Sequence, residues 1–124
     1  MGFEARLEQL LGEVDGAVAS ALVGSDGLPL GQRVAPGGAG VELEAALVEW
    51  GAVLARARHA AAALGAGGLE ELSVQAGGWV VLLRPVAEGY HLLLVLRPGG
   101  NTGKGRFLLR LYAPEVAAEL GLSS

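Results

Sequence analysis

Residues 41–64 read VELEAALVEWGAVLARARHAAAAL, and the way this stretch is buried decides the architecture. At the helical advance of about 100° per residue, Leu43, Leu47, Trp50, Leu54, Ala57, Ala61 and Leu64 fall on one stripe, broad enough to cover a core. The opposite side is not simply polar. Val48, Gly51, Ala52, Ala55, Ala62 and Ala63 make a second apolar strip of small side chains. Only Glu42, Glu49 and Arg56, spaced i, i+7, i+14, with His59 nearby, form a seam suited to water. A helix that is apolar on two sides is buried on two sides. The large stripe predicts packing on the chain's own sheet. The small strip predicts close approach of a second helix, most simply the same helix of another copy across a two-fold axis. The competing reading is that the alanines serve only helix propensity.

The flanks agree with a helix. Pro36, Gly37, Gly38 and Gly40 precede it. Glu42 and Glu44 occupy its first turn and Arg56, Arg58 and His59 come late, which suits the macrodipole. Gly65 supplies the left-handed residue that ends it.

The chain has 124 residues, expected to form a single domain over 1–124 and long enough for one core without staples. Hydrophobic content of 52% against 18% charged argues against disorder. Its 21 glycines are not periodic, which excludes a collagen-like repeat. With no cysteine there is no disulfide framework and no thiolate metal site. A net charge of −4 and a pI near 5.1 speak against non-specific nucleic-acid binding, which needs a basic face. No basic leader with an apolar segment opens the sequence and no apolar run is long enough to span a bilayer, so the expected location is the cytoplasm.

Around the long helix the pattern alternates between strands and turns. Phe3, Leu7, Leu10, Leu11 and Val14 recur at helical spacing, and Asp15-Gly16 ends that helix. Residues 17–23, AVASALV, read as a strand, and Gly24-Ser25-Asp26-Gly27 as the turn to an antiparallel partner over 28–34. Pro29 cannot donate to a ladder, which predicts an edge position for that partner. Residues 69–76 alternate, with Leu72, Val74 and Ala76 on one side, and form a half-buried strand and a second edge. Gly77-Gly78 turns the chain into residues 79–84, WVVLLR, covered on both faces; residues 85–89 turn again. Residues 90–96, YHLLLVL, are apolar throughout and predict the central strand. After a loop at 97–101, capped by Asn101 or Thr102, a last helix buries Phe107, Leu108, Leu111, Val116 and Leu120, with a kink or fresh turn at Pro114. The expected fold class is α+β: a five-stranded antiparallel sheet in α-β-β-α-β-β-β-α order, the long helix on one face and the terminal helices on the other.

Chemistry is sparse. PGGNTGKG at 98–105 sits between strand and helix like a phosphate loop, but Pro98 stands where the first Gly belongs and Gly105 where Ser or Thr would hold Mg²⁺. The backbone amides there remain a possible anion collector. His59 and His91 have no partner at metal-ligand spacing, and His91 reads as a hydrogen-bonded structural histidine. Asp15 and Asp26 each precede Gly and mark turns; Ser20, Ser25 and Ser73 lack a nucleophile motif. No catalytic residue, cofactor site or metal site is expected.

The whole order, from about Leu7 to Leu120, resembles the Roadblock/LC7 family, of profilin-like architecture. The pieces that carry the likeness are GAVASALVGSDGLPLG, the Ala-rich helix, LEELSVQAGGWVVLL and YHLLLVLRPGGNTGKGRFLLRL. Pro114 departs from the family's uninterrupted last helix. The resemblance implies a homodimer or heterodimer in which the long helices pair antiparallel and the third strands join two sheets into one. It further implies a non-catalytic regulator or adaptor of a small Ras-like GTPase, in bacteria often one of polarity or motility, which meets a helical platform. On this chain the expected dimer contacts are Val48, Gly51, Ala52, Ala55, Leu72, Ser73 and Val74. The expected partner-binding residues are Glu42, Glu49, Arg56 and His59. Two other functions fit the same fold: a structural dimerisation scaffold with no GTPase, and a small-ligand sensor, whose mark would be a cavity with convergent polar groups.

Overall fold

The computed structural model describes residues 2–38 and 42–121. In chain order these form α1 (Gly2–Glu13), β1 (Ala17–Gly24), β2 (Pro29–Val34), α2 (Leu43–Ala63), β3 (Leu72–Gln75), β4 (Val80–Ala87), β5 (Tyr90–Leu96) and α3 (Thr102–Glu119). The five strands pair antiparallel in the spatial order β2-β1-β5-β4-β3. β5 is therefore central and β2 and β3 are the edges, as the apolar run and Pro29 predict. Val41, at the start of the long-helix reading, lies outside the described residues.

Strand alternation splits the interior into two layers. Leu22, Leu82, Leu92, Leu94 and Leu96 meet α1 and α3 on one face, together with Leu7, Leu10, Leu109 and Val116. Val18, Ala21, Val23, Val81, Leu83, Leu93 and Val95 meet Leu43, Leu47 and Leu54 of α2 on the other. The small residues of β1 are buried along its whole length, under helices on both sides. Ser20, fully buried, is accommodated because its hydroxyl donates to the Leu7 carbonyl at 2.9 Å, tying β1 to α1.

The α1–β1 turn is stitched to the loop after β5. The Arg97 amide donates to the Gly16 carbonyl and the Asn101 amide to Asp15, both at 2.8 Å. Gly16 has φ +85°, and a Cβ there would lie 2.7 Å from the Gly100 Cα, so only glycine fits on both counts. At the end of α2, Gly65 takes φ +64°; its amide bonds Ala62 and the Ala66 amide bonds Ala61, the paired bonds of a Schellman stop.

Several expectations from periodicity are corrected. Leu64, placed on the buried stripe, is 84% exposed because the helix ends at Ala63 and the chain turns there. On α3, Phe107 and Leu111 are 50% and 47% exposed, while Leu109, Tyr112 and Ala113 are buried. The phase is set by Gly105: a Cβ there would stand 2.9 Å from Leu82 and 3.1 Å from Leu94, so the helix backbone lies directly on the sheet at that point. α3 also runs through Pro114 without a fresh start. Tyr112, Ala113, Val116 and Ala117 are buried on both sides of the proline and hold the two halves to the sheet. β4 continues through Pro85 to Ala87, so the turn is shorter than 85–89. Pairing with β3 ends at the Leu72–Leu83 step, and beyond it one side of β4 is an edge where a missing donor costs little. Trp79 lies outside the strand and is 38% exposed.

Candidate functional site

The residues expected to act lie on α2 and β3. Glu42, at the N-cap of α2, and Glu49, Arg56 and His59 along it are all exposed, and among the described residues none of their side chains makes an ion pair or hydrogen bond. Seven-residue spacing puts Glu42, Glu49 and Arg56 in one row, with His59 to one side. Glu42 stands at the N-cap without a side-chain capping bond, so its carboxylate points to solvent near the positive end of the helix.

The small-residue strip divides in two. Ala52 and Ala55 are exposed; Val53, not singled out by the sequence, is 41% exposed on the other flank of the charged row. Val48 presents a 52% exposed side chain, but its backbone touches the β1–β2 turn, where a Cβ on Gly27 would lie 3.0 Å from its Cα. Gly51 is half-buried over the same turn. That turn is pinned by the Gly27 amide on the Gly24 carbonyl and the Leu28 amide on Asp26 Oδ1 at 3.0 Å. Part of the strip therefore serves the chain's own fold, and the Val48 side chain, Ala52 and Ala55, at i, i+4 and i+7, remain as an uncovered apolar face.

β3 is a four-residue edge with partners on one side only. Leu72 and Val74 are half-buried towards the α2 layer, and Ser73 and Gln75 are exposed. The other edge, β2, carries Pro29 and Arg33, which blunt it against further pairing. β3 has neither a proline nor a basic residue. Just before it, Glu71 forms an ion pair with Arg106 of α3.

A second cluster is not legible in the sequence. Where α2 crosses the ends of β1 and β5, Ser25, Gly51, Leu54, Ala55, Arg58, Gly89, Tyr90 and His91 line a pocket of about 40 Å³. His91 is 3% exposed, and its Nε2 has no hydrogen-bond partner, which corrects the reading of a satisfied structural histidine. Burial, and then the nearby Arg58 guanidinium, lower its pKa from 6.5 to about 4, so the ring is neutral at pH 7. The Arg58 side chain, on a half-buried residue, makes no ion pair or hydrogen bond among the described residues. The two residues are 33 positions apart; no local motif joins them.

The glycine loop is self-contained. Asn101 caps α3, its Oδ1 accepting from the Lys104 amide at 3.0 Å, and the Asn101 carbonyl accepts from Gly105. One of the amides the sequence offered to an anion, that of Lys104, is thus taken by the chain's own side chain. No three His, Cys, Asp or Glu side chains converge on a metal-sized site among the described residues. No helix among them is long and apolar enough to cross a membrane.

No protein-family model and no curated protein matches this sequence. Solved structures do. The crystal structure of MglC from Myxococcus xanthus is 37% identical, over 96% of this chain and 99% of that one, with a TM-score of 0.70. A Roadblock/LC7 domain from Streptomyces avermitilis superposes with a TM-score of 0.82 at 13% identity, over 94% of this chain and 95% of that one. The gliding protein MglB from Thermus thermophilus gives 0.82 at 21% identity, over 93% and 85%. The last two likenesses speak for the fold alone.

Proposed function

The chain belongs to the Roadblock/LC7 family, and on that premise we propose that it is a non-catalytic dimeric regulator or adaptor of a small Ras-like GTPase. The observation that carries the reading is the conjunction on α2 and β3. An uncovered strip of Val48, Ala52 and Ala55 on α2 accompanies an unblunted edge strand, β3, whose Leu72 packs into the layer beneath that helix. Each is a liability alone, since an exposed edge and an exposed apolar helix both invite association. One symmetric contact, α2 against α2 and β3 against β3, covers both. Val48, Gly51, Ala52, Ala55, Leu72, Ser73 and Val74 are the residues assigned to it. The two rows of Glu42, Glu49, Arg56 and His59 then form the charged platform assigned to the switch regions of the GTPase.

The mechanism is one of population. A dimer that binds one nucleotide state of the GTPase better than the other shifts its equilibrium by the ratio of the two affinities, with no covalent step. The location that goes with this role is the cytoplasm. The test is a pull-down of the host's Ras-like GTPases, loaded with GDP or a non-hydrolysable GTP analogue, alongside light scattering of the bait. The expected result is a dimer that retains one GTPase in one nucleotide state preferentially. A dimer that retains none is a scaffold instead.

A further inference from the structure

The pocket where α2 crosses the ends of β1 and β5 combines two polar groups that the fold leaves unsatisfied. Arg58, on α2, is half-buried with neither a carboxylate nor a carbonyl to receive it among the described residues. His91, at the start of β5, is buried with its Nε2 unpartnered. The guanidinium offers only donors and positive charge, and the neutral imidazole offers a donor at Nε2 in one of its two tautomers. An orphaned buried polar group costs free energy, and two together, of a kind that repel when both are charged, cost more.

We propose that this pocket is an anchor site for one carboxylate, supplied by an Asp or Glu side chain of the protein that docks on α2. The space of about 40 Å³, against roughly 10–15 Å³ needed for one water, holds about three heavy atoms, the size of a carboxylate head. A carboxylate there accepts from Arg58 and, in the tautomer with the proton on Nε2, from His91. Gly51 and Gly89 contribute no side chain to the walls and Ala55 contributes one methyl; because Gly51 and Ala55 are assigned to the dimer contact, the carboxylate approaches from the Arg58 end of the pocket. Arg58 also lines the adjoining groove with Ala62, Leu69, Pro85 and Glu88, so its side chain is the partition between the two spaces. Its movement is what admits the carboxylate to Nε2, which is otherwise shut off from solvent. Within the chain the competing acid is Glu88, which lines that groove yet makes no ion pair with Arg58. Asp26 is held by the Leu28 amide.

The identity of the carboxylate's owner rests on the platform reading; the pocket's chemistry does not. The experiment is therefore a titration of nitrogen-labelled protein with sodium acetate near neutral pH. It is followed by NMR at the His91 ring nitrogens and at Arg58 Nε, with sodium chloride at equal ionic strength as control. Acetate should produce saturable shifts at both residues and chloride none. Arg58→Gln should weaken acetate about tenfold without changing the circular dichroism, and Arg58→Lys should recover part of the loss. Glu88→Gln should leave the acetate response in place. Shifts that drift linearly and alike with both salts, or a response unchanged in Arg58→Gln, overturn the site; the pocket then holds water. Saturable acetate binding with no acidic GTPase surface protecting His91 in the complex keeps the site and refutes the assigned partner.

Discussion

At the scale of single residues, His91 and Gly16 make opposite kinds of demand. His91 is buried neutral, with a folded pKa of about 4 against 6.5 unfolded. Below pH 6.5 the unfolded chain binds a proton that the folded one refuses. Stability is therefore full above that value, falls as the pH drops, and levels off below about 4. Between about pH 7 and pH 5 the loss from this residue is ~2 kcal/mol. Urea denaturation at the two pH values should show it in the wild type, and His91→Gln should remove most of that difference. Gly16 is a geometric demand. Its φ of +85° and the 2.7 Å approach to Gly100 mean that Gly16→Ala strains the backbone and pushes apart the two loops that Arg97 and Asn101 hold together. The cost should be about 1–3 kcal/mol, read as a lowered midpoint in thermal unfolding. An unchanged midpoint would mean that the loops separate freely.

At the scale of elements, α2 has two faces that mutation separates. Leu54 is 3% exposed beneath the helix, and Leu54→Ala should cost ~2–5 kcal/mol of folding stability. Ala55, the next residue, is exposed. Ala55→Arg should leave the midpoint of unfolding of the monomer near its wild-type value while raising the dissociation constant of the dimer. Identical defects in the two variants would refute distinct faces. The same helix marks the limit of what periodicity reads. The stripe of Leu43, Leu47 and Leu54 is legible because large aliphatic side chains at helical spacing mark a buried face. Leu64 is not, because a stop signal at Gly65 says where the helix ends but not whether the last leucine still reaches the sheet. On α3 the error is one of phase: Phe107 and Leu111 look like the buried residues by size, yet Gly105 decides the rotation by letting the backbone touch Leu82 and Leu94. A side chain that is absent leaves no hydrophobic signal. The strand order, with Pro29 at one edge and the apolar YHLLLVL run in the middle, is legible because burial on both faces erases alternation. The Arg58–His91 pocket is not, because its members come from a helix, a turn and a strand that only the tertiary fold brings together.

At the scale of the whole molecule, the proposed dimer contact and the proposed partner surface differ in charge. The uncovered apolar residues on one flank of α2, Val48, Ala52 and Ala55, carry no charge, whereas Glu49 and Arg56 sit on the same helix in an exposed row without ion pairs. An interface of small apolar residues and strand pairing should be insensitive to salt. A platform of unpaired charges should steer an approaching protein through a field that salt screens over about 8–10 Å. The double reversal Glu49→Arg with Arg56→Glu keeps the net charge and the helix propensity while inverting the local pattern. If the proposed dimer and its GTPase partner are right, the variant should remain a dimer by light scattering, unfold at the wild-type temperature, and bind that GTPase several-fold more weakly. The deficit should shrink as ionic strength rises, because it acts on the association rate. If the reversed protein binds its partner as the wild type does at low salt, the row is a solvated face and the GTPase docks elsewhere. If it becomes a monomer, the charges belong to the dimer contact, and the apolar strip does not hold the assembly alone.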